Sequence, residues 1–87
     1  MKQYNKRLIK TPEELGYILR KLRRNKKLKR SEIAEKLKID IPTYTYYESG
    51  SITPPVFILI KLSEIFDVEV TTLFFVDVVE YQMEKSK

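Results

Sequence analysis

Short blocks of apolar residues at helical spacing, separated by residues that interrupt a helix, constrain the fold of this 87-residue chain most strongly. Thr11 and Pro12 suit an N-cap and a first helical position, and Glu14 completes the pattern of a capping box. Asp40 begins a later block in the same way, and Gly50 suits a left-handed C-cap. We therefore predict an all-α domain of five short helices, over about 12–25, 30–37, 41–49, 56–66 and 71–74.

The two ends of the chain are less regular. Residues 75–83 are rich in β-branched side chains and predict either a short strand or a helical extension, with Tyr4, Leu8 and Ile9 as partners for a strand. We divide the chain into an N-terminal arm (1–10), a helical domain (11–76) and a C-terminal extension (77–87). In the fourth helix, four residues are predicted to face the core: Phe57, Ile60, Ile65 and Phe66.

Cysteine and histidine are absent, which excludes disulfides, thiolate nucleophiles, Cys/His zinc sites and imidazole bases. The carboxylates fall at helix starts and on outer faces, without a Gly-rich phosphate loop or a clustered acid pair. We therefore expect a protein that is not an enzyme, with no catalytic residue, metal or cofactor. The longest apolar stretch, Val56 to Ile60, is far shorter than the ~20 residues that span a bilayer, so we expect a cytoplasmic protein. The basic stripe has no Trp or Phe alongside it, as a membrane-surface helix would have, so we expect no binding to membranes.

Basic residues are concentrated in the first part of the chain. Residues 1–38 contain fourteen Lys and Arg and four Glu, a net charge of +10, whereas residues 39–87 carry a net charge of −5. Eight of the eleven residues from Arg20 to Arg30 are basic, and none is acidic. A merely solvated helix face seldom needs such a run, so this part of the chain suits a polyanion such as nucleic acid.

Residues 28–50 form two short predicted helices joined by a tight turn and end in Glu-x-Gly, with the sequence LKRSEIAEKLKIDIPTYTYYESG. This segment closely resembles the phage repressor and Cro type (XRE-like) helix-turn-helix family. Leu15-Gly16 upstream, and Pro54-Pro55 with residues 66–73 downstream, extend the resemblance to about 11–76. It implies a five-helix, lambda repressor-like DNA-binding domain. It also implies a bacterial or phage-encoded transcriptional regulator that binds double-stranded DNA as a homodimer.

The resemblance implies roles for individual residues. The third helix would lie in the major groove, with five residues on or beside its reading face: Ile41, Pro42, Thr43, Thr45 and Tyr46. Phosphates would be held at the start of the second helix and after the third, by Lys29, Arg30, Ser49 and Ser51. Arg23 and Glu48 take the positions of a partly buried structural ion pair. Tyr44 and Tyr47 take apolar positions, so we expect them in the core with their hydroxyls at its rim; stacking on bases is the alternative.

Two departures from the family pattern shape the expected binding. Lys38 stands where the family has a turn glycine, which costs about 1 kcal/mol if its backbone is left-handed. The groove-facing set contains no Arg, Asn or Gln, the side chains whose bidentate base contacts give about 1–3 kcal/mol of discrimination each. We therefore predict modest sequence discrimination, with phosphate contacts dominating the affinity.

The fourth helix and the tail carry more apolar residues than one small core can use, which predicts an isologous dimer interface; the alternative is a well-filled core. The residues in question are Ile58, Leu59, Phe74, Phe75, Val76 and Val79. A second hypothesis is an antitoxin that binds a toxin protein and represses its own operon, since the β-branched tail resembles the dimerising strands of some antitoxins of the family. A toxin encoded in the neighbouring reading frame would favour this second hypothesis.

Overall fold

The computed structural model describes residues 5–86. Its elements in chain order are β1 (Lys6–Leu8), α1 (Pro12–Asn25), α2 (Arg30–Leu37), α3 (Ile41–Ser49), α4 (Val56–Phe66), a 3₁₀ helix (Val70–Phe74), β2 (Phe75–Asp77) and α5 (Val78–Lys85). The predicted helical fold is confirmed, and the first four helices occupy their predicted ranges. The fifth predicted helix is a 3₁₀ helix, and the fifth α-helix lies beyond it. Within residues 5–86, no helix combines the length and the apolar character needed to cross a membrane.

The tail adopts both of the forms that the sequence left open. β2 pairs antiparallel with β1, so that Leu8 lies opposite Phe75. The N–H of Ile9 donates to the carbonyl of Phe74 at 2.8 Å, which ends this pairing. α5 follows β2 directly. The third predicted pairing partner, Tyr4, lies outside the described residues.

The start of α1 is tied to the arm that precedes it. Thr11 Oγ1 accepts the N–H of Glu14 at 3.1 Å, as an N-cap does. The Glu14 carboxylate accepts the N–H of Lys10 at 2.7 Å, one residue before the N–H that the predicted capping box would use. It also accepts hydrogen bonds from both Nη atoms of Arg7, at 3.0 and 2.8 Å. These hydrogen bonds, those from Arg7 above all, lower the pKa of Glu14 although the side chain is buried. Arg7 thereby fastens β1 to the helical domain.

The core is built where α1 and α2 pack against α3, and where α4 packs against the 3₁₀ helix and α2. Its largest fully buried side chains are Leu19, Ile33, Tyr44, Leu62, Phe66, Leu73 and Val76. A core of this kind holds α2 and α3 as one unit, which fixes the outer side of α3 relative to the rest of the domain.

The inward face of α4 differs from the predicted one. Leu59, Leu62 and Phe66 are buried, whereas Phe57 is 76% exposed and Ile60 is 38% exposed. Because the first half of α4 is apolar on every side, its periodicity does not distinguish the two faces. The prediction that Phe57 and Ile60 lie in the core is wrong, and Ile65 is only half-buried. Conversely, the core includes Leu59 and Val76, which were predicted to be surplus apolar residues at a dimer interface.

Candidate nucleic-acid interface

α2 and α3 are joined by a short turn whose first residue is Lys38. Its backbone is left-handed, with φ 60° and ψ 43°. Its N–H donates to the carbonyl of Glu35 at 3.1 Å, and the N–H of Ile39 donates to that of Ala34 at 3.0 Å. These two bonds form a Schellman cap, which normally carries glycine. Asp40 then caps α3, accepting a backbone N–H of its first turn at 3.0 Å, so both helix ends at the turn are satisfied.

The side chains of α3 divide between core and solvent. Tyr44, Tyr47 and Glu48 are buried. Ile41 and Tyr46, on the other side, are each 48% exposed. The predicted reading set is exposed or half-buried throughout: Ile41, Pro42, Thr43, Thr45 and Tyr46. The structure therefore brings these five residues together on one accessible surface.

Tyr44 lies deeper than expected. Its side chain is 0% exposed, and its hydroxyl is buried without a hydrogen-bond partner among the described residues. Burial, together with the nearby Glu48 carboxylate, raises the pKa of the Tyr44 phenol. The prediction of a hydroxyl at the rim is wrong for Tyr44, because the whole side chain, including its hydroxyl, is buried near Glu48 and Arg23. Tyr44 is not accessible for stacking on a base.

Glu48 is the acidic centre of an ion cluster between α1, α2 and α3. Its carboxylate accepts from Arg23 Nε at 2.6 Å and Nη2 at 3.2 Å, and from Arg30 Nε at 3.0 Å. The Glu48 side chain is only 2% exposed. Burial raises the pKa of this carboxyl, but the hydrogen bonds and charges of the two guanidinium groups outweigh burial and lower it. Arg23 and Glu48, predicted as an ion pair, therefore join α1 to the last turn of α3.

The start of α2 holds the two predicted phosphate-binding cations. Lys29 is exposed, but its backbone N–H already donates to the Glu32 carboxylate at 2.7 Å. Arg30 is 43% exposed and shares the Glu48 carboxylate with Arg23. Lys29 thus offers its ammonium group rather than its backbone, and Arg30 is both a structural and an accessible residue.

The predicted hydroxyl pair lies at the other end of α3. Ser49 and Ser51 are exposed, and their Oγ atoms are 2.9 Å apart. Ser49 Oγ also donates to the carbonyl of Tyr46 at 3.2 Å. A hydroxyl rotates freely between partners, so this pair can donate to a phosphate that approaches the end of α3.

The basic run in the sequence does not form one free surface. Arg20 and Arg24 approach Glu84 of α5 at 3.4 and 4.0 Å, and Lys21 pairs with Glu80. The exposed remainder of the run lies between the end of α1 and the start of α2: Lys26, Lys27, Lys29 and Arg30. The acids that cover α1 are about sixty positions further along the chain, so the local sequence does not indicate them.

Four of the acidic side chains have structural roles. Asp40 and Asp77 cap helices, and Glu14 and Glu48 bind guanidinium groups. In the part of the chain that the structure describes, no three acidic side chains lie together as a metal site would require. The surface that remains for a ligand is the outer side of α3. It lies between two sets of hydrogen-bond donors, one at the start of α2 and one at the end of α3.

This geometry defines a helix-turn-helix protein, and the comparison with known families agrees. The family model described as helix-turn-helix matches residues 19–73, which is more than half of the chain. The chain belongs to the XRE-type helix-turn-helix family of transcriptional regulators.

Individual relatives support the same family. The uncharacterized HTH-type transcriptional regulator YqaE of Bacillus subtilis (strain 168) is 46% identical over 55 residues, which are 63% of this chain and 47% of that protein. The chain thus spans about half the length of this curated relative.

The fold is similar to those of solved helix-turn-helix regulators. The restriction-modification controller protein C.AhdI of Aeromonas hydrophila aligns with a TM-score of 0.69 and 27% identity, over 72% of this chain and 96% of that one. The DNA-binding domain of BldD aligns with a TM-score of 0.64 and 26% identity, over 72% and 92%. The clp gene regulator ClgR of C. glutamicum is similar in fold. It aligns with a TM-score of 0.67 and 22% identity, over 71% of this chain and 80% of that one.

Proposed function

We propose that this chain binds double-stranded DNA as a transcriptional regulator, with the outer side of α3 in the major groove. The observation that carries the proposal is the division of α3. Its inner side is locked to α1 by the Arg23–Glu48 pair, and its outer side presents the reading set. An anchored helix with an accessible outer side is what groove reading requires.

The chemistry of the reading set supports modest discrimination. Ile41 and Pro42 are suited to contact thymine methyl groups, and Thr45 and Tyr46 to make single hydrogen bonds to base edges. No member of the set makes the bidentate contacts that give strong base selectivity. We infer that the protein prefers certain sequences without excluding others.

Phosphate contacts supply most of the affinity in this proposal. The donors lie on both sides of α3, with Lys29 and Arg30 at the start of α2 and Ser49 and Ser51 at the end of α3. The exposed Lys26 and Lys27 extend the first group. Each cation that neutralises a phosphate contributes about −0.9 to the slope of log affinity against log salt.

The test measures binding to random and selected duplexes over a series of salt concentrations, with fluorescence anisotropy as the readout. We expect a steep salt dependence on every duplex and a small additional affinity for selected sequences. A flat salt response, or no binding at low salt, would contradict the proposal.

We further propose a homodimer whose two α3 helices occupy half-sites about one turn, or ~34 Å, apart. Support comes from the outward side of α4, where Val56 is 60% exposed, Phe57 76% and Ile60 38%. An apolar stripe of this kind on a small domain suits a self-complementary contact. Sedimentation of the protein at micromolar concentration tests it, and a strict monomer would exclude the dimer.

The antitoxin hypothesis gains no specific support from the tail. β2 has three residues and pairs with β1 of the same chain. The strand on which that hypothesis depended is therefore already partnered on one edge. The regulator remains the function that we propose.

A further inference from the structure

We propose that Arg20, Lys21 and Arg24 on α1 form a second phosphate-binding strip, and that α5 covers this strip in the structure. The inference rests on the proposed binding to DNA. It adds a binding surface on α1 whose availability depends on whether α5 is docked.

The cover is made by acids that take the place of phosphates. Glu80 and Glu84 lie one helical turn apart on α5, and so face the same way. Glu84 approaches Arg20 at 3.4 Å and Arg24 at 4.0 Å, and Glu80 pairs with Lys21. Guanidinium and ammonium groups bind carboxylates and phosphates with the same charge-assisted hydrogen bonds, so a DNA backbone is a direct competitor for these cations.

α5 is held weakly enough to be displaced. It has eight residues, none of them buried, and helices of that length are not stable alone in water. It makes two apolar contacts with the domain: Tyr81 packs edge-to-face on Tyr17, with ring centres 5.3 Å apart, and the half-buried Val78 at its first position packs against the core. Val79 and Met83 are 48% and 65% exposed, and an open cleft of about 350 Å³ remains between α1 and α5. The polar part of the contact consists of partly exposed ion pairs, which salt weakens, and of a hydrogen bond from the Tyr17 hydroxyl to the Glu80 carboxylate at 3.4 Å.

The covered strip is continuous with the phosphate contacts already proposed. Arg20 Nη1 donates to the carbonyl of Glu48 at 3.1 Å, and Arg30 Nε donates to its carboxylate at 3.0 Å. Arg20 and Arg30 therefore flank the same residue in the last turn of α3. A DNA backbone held by Arg30 passes close to the strip on α1.

The experiment removes the covering charges without removing the helix. The variant Glu80→Gln/Glu84→Gln is compared with Glu64→Gln/Glu69→Gln, which changes the net charge equally. Glu64 and Glu69 are exposed and form no salt bridge within residues 5–86. Binding of one fixed duplex is measured for both over a salt series. We expect the first variant to have a Kd at least about threefold below that of the control, and a salt slope steeper by ~0.9 or more.

A second pair of variants tests whether the gain comes from α1. Lys21→Ala/Arg24→Ala, which removes two of the three cations of the strip, should remove most of the gain in the Glu80→Gln/Glu84→Gln background and should have little effect in the wild-type background. Circular dichroism and thermal melting show that each variant is folded.

The outcomes separate this inference from the proposed function. If the wild type binds DNA but the Glu80→Gln/Glu84→Gln variant binds no better than the charge-matched control, the covered strip is refuted and the proposed function stands. If the wild type does not bind and the variant does, the cover is supported. If neither binds at low salt, both are refuted.

Discussion

Gly16 of α1 lies directly against the backbone of Glu48 in α3. A Cβ atom at position 16 would be 2.2 Å from the carbonyl oxygen of Glu48 and 2.7 Å from its carbonyl carbon. The same residue binds Arg23 through its carboxylate. One residue of α3 is therefore held to α1 at its backbone and at its side chain, and this double contact sets the position of the proposed reading helix.

We predict that Gly16→Ala destabilises the domain. In an exposed helix, Gly to Ala would stabilise by about 1 kcal/mol, but here the added methyl group meets a backbone that has no room to move. Overpacking of this kind costs about 1–3 kcal/mol, and a contact of 2.2 Å with backbone lies at the upper end of that range, so urea unfolding should show a net loss of about 2 kcal/mol. Lys36→Ala, at an exposed position of α2, is the control and should be nearly neutral. Unchanged or increased stability of Gly16→Ala would show that α1 and α3 are not in contact at this point.

Lys38→Gly should stabilise the domain. Lys38 has a left-handed backbone at φ 60°, a conformation that costs a side-chain-bearing residue about 1 kcal/mol and glycine almost nothing. The control is Lys36→Gly, two residues earlier within α2, which should lose about 1 kcal/mol by helix propensity. Thermal melting of both variants checks the prediction, which fails if both substitutions shift the melting temperature in the same direction.

Acid should weaken the domain partly through Glu48. The pKa of Glu48 is lower in the folded protein than the ordinary value of about 4.3 in the unfolded chain. The contribution of Glu48 to the free energy of unfolding is therefore complete above the unfolded pKa, and it is lost as the pH falls through the lower pKa of the folded protein. Glu14 behaves in the same way, because Arg7 lowers its pKa.

The variant Glu48→Gln isolates this contribution. At pH 7 it should cost about 3–5 kcal/mol, because Arg23 is left buried without its charged partner. At pH 3 the difference from the wild type should shrink, since Glu48 is then largely protonated in the unfolded wild type and part of the stability that its ionised form supplies is lost. Urea unfolding at the two pH values measures this, with Glu64→Gln as an exposed control. An equal cost at both pH values would contradict the assignment.

The helices and the helix-turn-helix were predictable because their signals are local. Caps such as Thr11 and Asp40, and the left-handed Gly50, act within a few residues of the chain. The inward face of α4 was not predictable, because Phe57 and Leu59 are equally apolar and only tertiary packing distinguishes them. The pairing of the basic residues on α1 with α5 was missed for a related reason, since the contact is long-range.

Gly16 illustrates a third case. The resemblance included Leu15-Gly16 as part of a pattern, but a pattern does not show what a glycine is for. Only the distance to Glu48 identifies it as a packing requirement. Position 16 therefore belongs to the machinery that places α3, although it is not exposed to a ligand.

Phe57→Ser should convert the proposed dimer to a monomer. Phe57 is 76% exposed, so its removal should leave the melting temperature of the monomer almost unchanged while it removes the centre of the α4 stripe. Met83→Ser on α5, where Met83 is 65% exposed, is the matched control and should leave the dimer intact. Sedimentation velocity at micromolar concentration distinguishes the two. Dimers in both variants would place the interface elsewhere.

The central claim, that the outer side of α3 reads DNA while flanking cations hold it, is tested most directly by selection from random duplexes. The selection compares the sequences bound by the wild type with those bound by the variants Tyr46→Ala and Arg30→Ala. Thermal melting checks that α3 remains in place in both variants. Tyr46→Ala should change the preference at one base step. Arg30→Ala should weaken binding to all sequences alike and reduce the salt slope by about 0.9. If Tyr46→Ala selects the same sequences as the wild type, α3 does not read the groove through this surface.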